Sequence, residues 1–286
     1  MVAALSSRSW RSLGAGLLAG LCLGYGAITL AAWRCEACVS YFIFEPDRRL
    51  YARASDFPFE VLDVRVSDEL RGWWVPGAGP QAKVLLYLHG TGGNVSTSIS
   101  AIAPLRELGY SILMLDYRGY GESDGAFPSE KTVYQDAERA WDYLRSRGIE
   151  PANVFIYGHS LGAAVAIELA LRHPDAGGLI VESAFTSIPD MAKLRPQYAL
   201  LPTRLLNQQF DSIGKVSGLR LPVLYIHGTA DEVVPYRMGE ELFKASGGRK
   251  RFVAIGGGLH DNNAAVGGPL LRGEIRDLVE GQDDRL

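Results

Sequence analysis

Residues 158–162 read Gly158-His159-Ser160-Leu161-Gly162, and this stretch decides the fold that the sequence predicts. It follows an apolar run at residues 154–157 and leads into the small residues Ala-Ala-Val-Ala at 163–166. A G-x-S-x-G motif between a strand and a helix is typical of a tight turn that exposes a serine hydroxyl above a sheet. Glycines on either side of the turn leave space for the strand and the helix to approach each other. We therefore predict that Ser160 is a nucleophile placed immediately before a helix.

Strands and helices alternate on both sides of this motif. Near-continuous apolar runs, typical of strands buried on both faces, lie at residues 83–88, 110–115, 153–157, 178–181 and 222–226. Between these runs, apolar side chains recur at helical spacing at Val133, Ala137, Ala140, Trp141 and Leu144. Residues 59–66 and 70–75 are expected to form an antiparallel pair at the start. This order predicts an α/β fold, with a mostly parallel sheet and helices on both faces.

The stretch from residue 185 to residue 219 interrupts the alternation, because it carries no strand signal. Its apolar residues include Met191, Tyr198, Leu205 and Phe210. Long connections without their own sheet element are often lids over a site, although an ordinary crossover helix would also fit. We expect a short helical lid at about residues 185–219.

A serine hydroxyl is a weak nucleophile and needs a base beside it, which is oriented by an acid. On a scaffold of this kind the acid and the histidine follow the serine in that order. Asp231 lies in the loop after residues 222–226, and His260, in a glycine-rich loop, is the only later histidine. We predict that Ser160 attacks, that His260 acts as general base and then acid, and that Asp231 orients the imidazole. Glu182, which also ends a strand, is the alternative acid.

The same chemistry requires an oxyanion hole of two backbone N–H groups. One donor is expected from Leu161, the residue after the nucleophile, and the other from Thr91 in the loop His89-Gly90-Thr91-Gly92-Gly93-Asn94. A phosphate-binding loop is the alternative for this glycine-rich stretch, but no nucleotide-binding glycine pattern follows the strand. The remaining histidines, His89, His159, His173 and His227, are expected to be structural or exposed.

The N-terminal region has a different composition from the rest of the chain. No charged residue occurs from position 12 to position 33, a run long enough to cross a bilayer of about 30 Å. Arg8 and Arg11 precede the run and Arg34 follows it. We expect residues 1–34 to be a single-pass membrane anchor, 35–56 a juxtamembrane linker and 57–286 the catalytic domain. The cationic N-terminal flank favours export of that domain; a cleaved signal peptide and a buried core helix are the alternatives.

Composition and cysteine content limit the partners. The chain has 286 residues and a formal net charge of −3, and its sequence pI is about 6.0, which argues against a nucleic-acid partner. Cys35 and Cys38 form a C-x-x-C pair, but no second Cys or His pair completes a zinc site. Acylation of these juxtamembrane thiols is a further hypothesis. No metal and no cofactor is predicted.

Several motifs in order resemble those of the α/β-hydrolase superfamily over about residues 57–282. They are HGTGGN at 89–94, DYRGYGESDG at 116–125, GHSLG at 158–162, ESAFTS at 182–187, HGTADEVVP at 227–235 and GGGLHDN at 256–262. The sequence is most similar to a branch of short-capped serine hydrolases with an N-terminal anchor. Members of this branch often carry Glu where His159 stands, and Asn-Ala where Thr91-Gly92 stand. The resemblance implies an eight-stranded sheet, and it implies that Asp116 and Arg118 brace their loop by an ion pair and backbone hydrogen bonds.

The predicted function follows from the residues and the resemblance together. We expect a serine hydrolase that cleaves carboxylic ester or thioester bonds of acyl or lipid substrates through an acyl-enzyme. Its partners would be a small-molecule acyl substrate and, through the N-terminal helix, a membrane. A peptidase of the same fold and a non-catalytic binding protein are the alternatives.

Overall fold

The computed structural model describes residues 20, 23–27, 36–196, 203 and 206–281. Its central sheet contains β2 (Leu62–Arg65), β3 (Arg71–Val75), β4 (Val84–Leu88), β6 (Ser111–Leu115), β7 (Val154–His159), β8 (Gly178–Glu182), β9 (Val223–Gly228) and β10 (Lys250–Ile255). The spatial order is β10-β9-β8-β7-β4-β6-β3-β2. The pairs of β3 with β2 and with β6 are antiparallel, and the other pairs of this sheet are parallel. The predicted α/β-hydrolase fold, with a mostly parallel eight-stranded sheet, is confirmed.

Helices cover both faces of this sheet. They are α1 (Glu36–Ile43), α2 (Val95–Arg106), α3 (Glu130–Ser146), α4 (Leu161–Arg172), α5 (Ile188–Lys193), α6 (Ser212–Lys215), α7 (Tyr236–Ala245) and α8 (Asn263–Glu280). One apolar cluster contains residues of α3 and α4, such as Trp141 and Ile167, and a separate cluster contains residues of α2 and α8, such as Ile99 and Ile275. Apolar side chains therefore pack on both faces, as the alternating order of elements requires.

Three adjacent central strands, β4, β7 and β8, bring the motifs together. Every residue of β4 is buried, which explains its uninterrupted apolar sequence. Leu88 at the end of β4 pairs with Gly158 of β7, and His159 pairs with Glu182 of β8. Because these strands are parallel, the loops that follow them emerge at the same edge of the sheet, which becomes the floor of the site.

The region before the sheet packs against the domain in the structure. Val39 and Phe44, in and just after α1, are buried, and Ser40 Oγ accepts a hydrogen bond from Gln208 Nε2 at 2.7 Å. The short strand β1 (Glu45–Pro46) pairs in parallel with β5 (Gly92–Gly93). The stretch predicted as a juxtamembrane linker thus begins with a helix, and this helix contacts Gln208 in the 185–219 segment.

Two predictions fall partly outside the described residues. Of the apolar run at 12–33, residues 20 and 23–27 are described and are helical. Within the described part of the chain, no helix combines the length and apolar character that a membrane crossing needs. In the expected lid, α5 and α6 are described, whereas residues 197–202, 204 and 205 lie outside the description.

Candidate active site

The turn between β7 and α4 holds Ser160 in a strained backbone conformation. Its φ is 55° and its ψ is −120°, a region that non-glycine residues rarely adopt. The Ser160 N–H donates to the Glu182 carbonyl oxygen at 2.9 Å, which fixes the turn against β8. A Cβ on Gly158 would overlap the Gly162 carbonyl, and a Cβ on Gly162 would overlap the Leu88 carbonyl. Both glycines are therefore required by close backbone approach.

We predict that Gly162→Ala lowers the free energy of unfolding by about 1–3 kcal/mol, because the added methyl group meets backbone atoms of β4. Urea unfolding followed by circular dichroism measures this change. Gly273→Ala is the matched control, since a Cβ there meets nothing within 4 Å and the residue lies inside α8. Wild-type stability of Gly162→Ala would contradict this account of the turn.

The three residues predicted as a triad lie in one hydrogen-bonded line. Ser160 Oγ is 2.9 Å from His260 Nε2, and His260 Nδ1 is 2.9 Å from Asp231 Oδ2. An ionised carboxylate accepts only, so Nδ1 carries the ring proton and Nε2 presents a lone pair to the serine hydroxyl. The arrangement can remove a proton from Ser160 and return it to a leaving group.

Four donors hold the Asp231 carboxylate. Oδ1 accepts from the N–H groups of Val233 and Val234 at 2.9 and 2.8 Å, and Oδ2 accepts from His260 and, at 3.3 Å, from His227 Nε2. Burial raises the pKa of Asp231, but the hydrogen bonds from His227 and His260 outweigh burial and hold it well below its ordinary value. The carboxylate is therefore ionised and fixed in orientation.

His227, which the sequence predicted to be structural, is the second histidine on this carboxylate. It is buried, and its Nε2 also lies 3.0 Å from the Val234 carbonyl oxygen. Both neighbours of Nε2 are acceptors, so this nitrogen carries the proton. Nδ1 is buried and has no hydrogen-bond partner in the described part of the chain.

The loop that carries His260 is held through its backbone carbonyl. That oxygen accepts from His159 Nε2 at 3.0 Å and from Ser183 Oγ at 3.1 Å. Ser183 has a φ of 50°, and its hydroxyl accepts from Asn263 Nδ2 at 3.0 Å. Sequence reasoning missed Ser183 and Asn263; their positions directly after Glu182 and close to His260 were the available signals.

The alternative acid, Glu182, makes a different contact. Its Oε2 accepts a hydrogen bond from the Tyr157 hydroxyl at 2.7 Å, and the side chain is buried beneath the turn. The structure therefore brings Asp231, and not Glu182, to His260.

The two predicted oxyanion donors border the same cavity as Ser160. Leu161 is the first residue of α4, where backbone N–H groups have no partner within the helix. The Thr91 carbonyl accepts from the Tyr120 hydroxyl at 2.7 Å and from the Glu45 N–H at 3.3 Å. These bonds fix the loop after β4 beside the nucleophile.

A cavity of about 510 Å³ opens above Ser160. Its wall is mainly apolar and includes Phe185, Ile188 and Met191 of the expected lid and Val39, Phe42 and Ile43 of α1. The contribution of α1 was missed at the sequence level, where residues 35–56 were expected to be a linker. The spacing of Val39 and Ile43 on one helical face was the only signal.

The other conspicuous polar residues have structural environments. His89 and Asp116 are buried 3.6 Å apart; burial lowers the pKa of His89 to about 4 and raises that of Asp116 to about 7. The ion pair of Arg118 is with Asp136 at 2.6 Å and not with Asp116, whereas the expected backbone hydrogen bonds are present. Asp116 instead accepts from the Val95 N–H at the start of α2.

Comparison with known proteins identifies related chains. The family model described as "Serine aminopeptidase, S33" matches residues 79–214. The uncharacterized protein Rv2307c of Mycobacterium tuberculosis is 35% identical over 225 residues, which cover 77% of this chain and 78% of that protein. The lysophosphatidylserine lipase ABHD12 of Danio rerio is 34% identical over 189 residues, or 60% of this chain and 49% of that protein.

Among solved structures, the esterase Pf2001 of Pyrococcus furiosus is similar, with a TM-score of 0.68 and 18% identity. The match covers 84% of this chain and 98% of the esterase. At this identity the likeness establishes the shared fold alone.

Proposed function

The chain belongs to the α/β-hydrolase superfamily, and from that premise we propose that it is a serine hydrolase of carboxylic esters or thioesters. The observation that carries the proposal is the line of hydrogen bonds from Ser160 through His260 to Asp231 at the floor of the apolar cavity. The lysophosphatidylserine lipase among its similar proteins supports ester hydrolysis.

In the proposed reaction, Ser160 Oγ attacks the acyl carbonyl as its proton passes to His260 Nε2. The N–H groups of Thr91 and Leu161 would donate to the oxyanion of the tetrahedral intermediate. The intermediate collapses when His260 returns the proton to the leaving alcohol or thiol, which leaves an acyl group on Ser160. Water, deprotonated by His260, then attacks the acyl carbonyl. When the bond to Ser160 Oγ breaks, His260 returns the proton to Oγ, which releases the acid and restores the serine.

The wall of the cavity supports an acyl or lipid chain as the recognised part of the substrate. A cavity of this volume lies within the range of about 300–1,000 Å³ typical of small-molecule sites. Its apolar lining stabilises an alkyl chain at about 0.8 kcal/mol for each buried methylene group.

The location we propose is a membrane, with residues 1–34 as a single-pass anchor and the catalytic domain on the exported side.

The experiment that tests this function uses p-nitrophenyl acetate, butyrate, octanoate and palmitate with the purified chain. We expect hydrolysis, with kcat/KM rising from the acetate to a longer ester, and covalent labelling by a fluorophosphonate probe. Inertness towards every ester, together with no labelling, would overturn the proposal. Faster cleavage of aminoacyl amides than of esters would instead favour a peptidase, the second candidate, which the family description supports.

We predict that Ile43→Phe shifts the chain-length preference towards short esters, because Ile43 of α1 lines the cavity. The larger ring takes up space otherwise open to the acyl chain. We expect kcat/KM for the octanoate to fall about ten-fold or more, equivalent to the loss of one or two buried methylene contacts, while acetate hydrolysis changes little. Leu270→Phe, at an exposed position of α8, is the control. A parallel loss on all esters would contradict a role of α1 in chain-length selection.

A further inference from the structure

His159 lies between Gly158 and the nucleophile Ser160, and the proposed proton transfers do not use it. Its ring lies beside that of His260, with centroids 5.0 Å apart and planes inclined by 52°. The Nε2 atom of His159 lies 3.7 Å from Asp261 Oδ1. The Asp261 side chain is 81% exposed, so this cluster of His159, His260 and Asp261 is open to solvent on one side.

The cluster has the composition of a transition-metal site. One ligand atom from each of its three residues lies within 4.8 Å of the other two. Two imidazoles and a carboxylate are a ligand set that Zn²⁺ favours, with a fourth position left for water. Sequence spacing could not predict the cluster, because 101 residues separate His159 from His260.

We propose that His159, His260 and Asp261 form a binding site for Zn²⁺, and that occupation of this site inhibits the hydrolase reversibly. Binding is independent of the function proposed above, whereas inhibition rests on it. A metal bond to either ring nitrogen of His260 removes that nitrogen from Ser160 or from Asp231. The ion and the proton transfers therefore exclude each other.

The local structure permits the small movements that binding needs. Zinc bonds of about 2.0–2.2 Å place two tetrahedral ligands roughly 3.3 Å apart, so the present distances must shorten. Asp261 is exposed and can turn, and His260 follows Gly256, Gly257 and Gly258 in the chain. His159 would exchange its hydrogen bond to the His260 carbonyl for the metal bond, with the ring proton carried on Nδ1 in place of Nε2. Ser183 Oγ continues to satisfy that carbonyl.

The experiment measures ester hydrolysis by the full chain as Zn²⁺ is added, with Mg²⁺ as the control ion because it prefers an all-oxygen environment. We expect inhibition by Zn²⁺ alone and full recovery with a chelator. Asp261→Asn should retain wild-type basal activity, because its side chain is exposed and outside the triad. This variant and His159→Gln should each raise the inhibitory Zn²⁺ concentration about ten-fold or more.

The double variant Cys35→Ser/Cys38→Ser is the control for zinc bound at the thiols. It should be inhibited like the wild type. Unchanged Zn²⁺ sensitivity of both Asp261→Asn and His159→Gln would overturn the proposal, as would sensitivity lost only in the cysteine variant.

Calorimetric titration of Zn²⁺ into Ser160→Ala separates this proposal from the proposed function. Binding of one Zn²⁺ ion by Ser160→Ala, together with no binding by Ser160→Ala/His159→Gln, supports the site even if no ester is hydrolysed. Hydrolysis of esters by a wild-type chain that binds no Zn²⁺ in this titration would overturn the metal site and leave the proposed function standing.

Discussion

Ser160→Ala should lower kcat/KM on the best p-nitrophenyl ester by about 10⁴-fold or more and abolish labelling by a fluorophosphonate. The substitution removes the only atom that forms the acyl-enzyme, while the cavity and the backbone donors are retained. Knock-out of a triad serine in a well-studied protease costs about 10⁶ in kcat, and the residual rate comes from the oxyanion hole and binding. Steady-state kinetics and gel-based probe labelling check the prediction.

Two controls show whether the loss is chemical. Ser146→Ala changes an exposed serine at the end of α3 and should leave both readouts unchanged. The circular dichroism spectrum of Ser160→Ala should match that of the wild type, because a methyl group replaces the hydroxymethyl group without added volume. If Ser160→Ala retained wild-type hydrolysis, the activity would arise elsewhere. If it retained the cellular role of the protein, the non-catalytic alternative would be favoured.

Local sequence could predict the nucleophile, the positions of the strands along the chain and the loops that carry Asp231 and His260. The reason is that each of these features depends on a short motif. The nucleophile lies in a turn between an apolar run and a run of small residues, and the two other residues lie in loops that directly follow buried strands. Parallel strands place their following loops at one edge, so three separate motifs converge without any knowledge of side-chain contacts.

Contacts between distant segments could not be predicted in the same way. The hydroxyl of Ser183 and the ring of His159 both donate to the His260 carbonyl, although 77 and 101 residues separate them from His260 along the chain. The same holds for Ile43, which becomes part of the cavity wall because α1 packs beside the segment 185–219. The ion pair of Arg118 was missed for the same reason, because its partner is Asp136 of α3, which lies outside the motif at 116–125.

Asp231→Asn should lower kcat/KM by about 10³–10⁴-fold, because an amide in place of the carboxylate can stabilise the wrong tautomer of His260. The ring then presents a proton, not a lone pair, to Ser160. Glu182→Gln is the matched control: the same carboxylate-to-amide change occurs beneath the turn, and the amide oxygen can still accept from the Tyr157 hydroxyl. We expect this control to retain activity within a few-fold of the wild type. A large loss in Glu182→Gln with little loss in Asp231→Asn would reverse the assignment of the acid.

The pH dependence of stability gives a second test of the same carboxylate. The pKa of Asp231 is lowered on folding, so its ionised form stabilises the native state at pH values above its ordinary pKa of 3.8. That contribution is lost as the pH falls through the folded-state pKa, because the unfolded chain takes up the proton first. The unfolding free energy of Asp231→Asn should therefore be lower than that of the wild type at neutral pH, and the difference should shrink at acidic pH. Urea unfolding at neutral and at acidic pH measures both differences. A gap that widens on acidification would mean that burial, rather than the donors from His227, His260 and the backbone, controls this carboxylate.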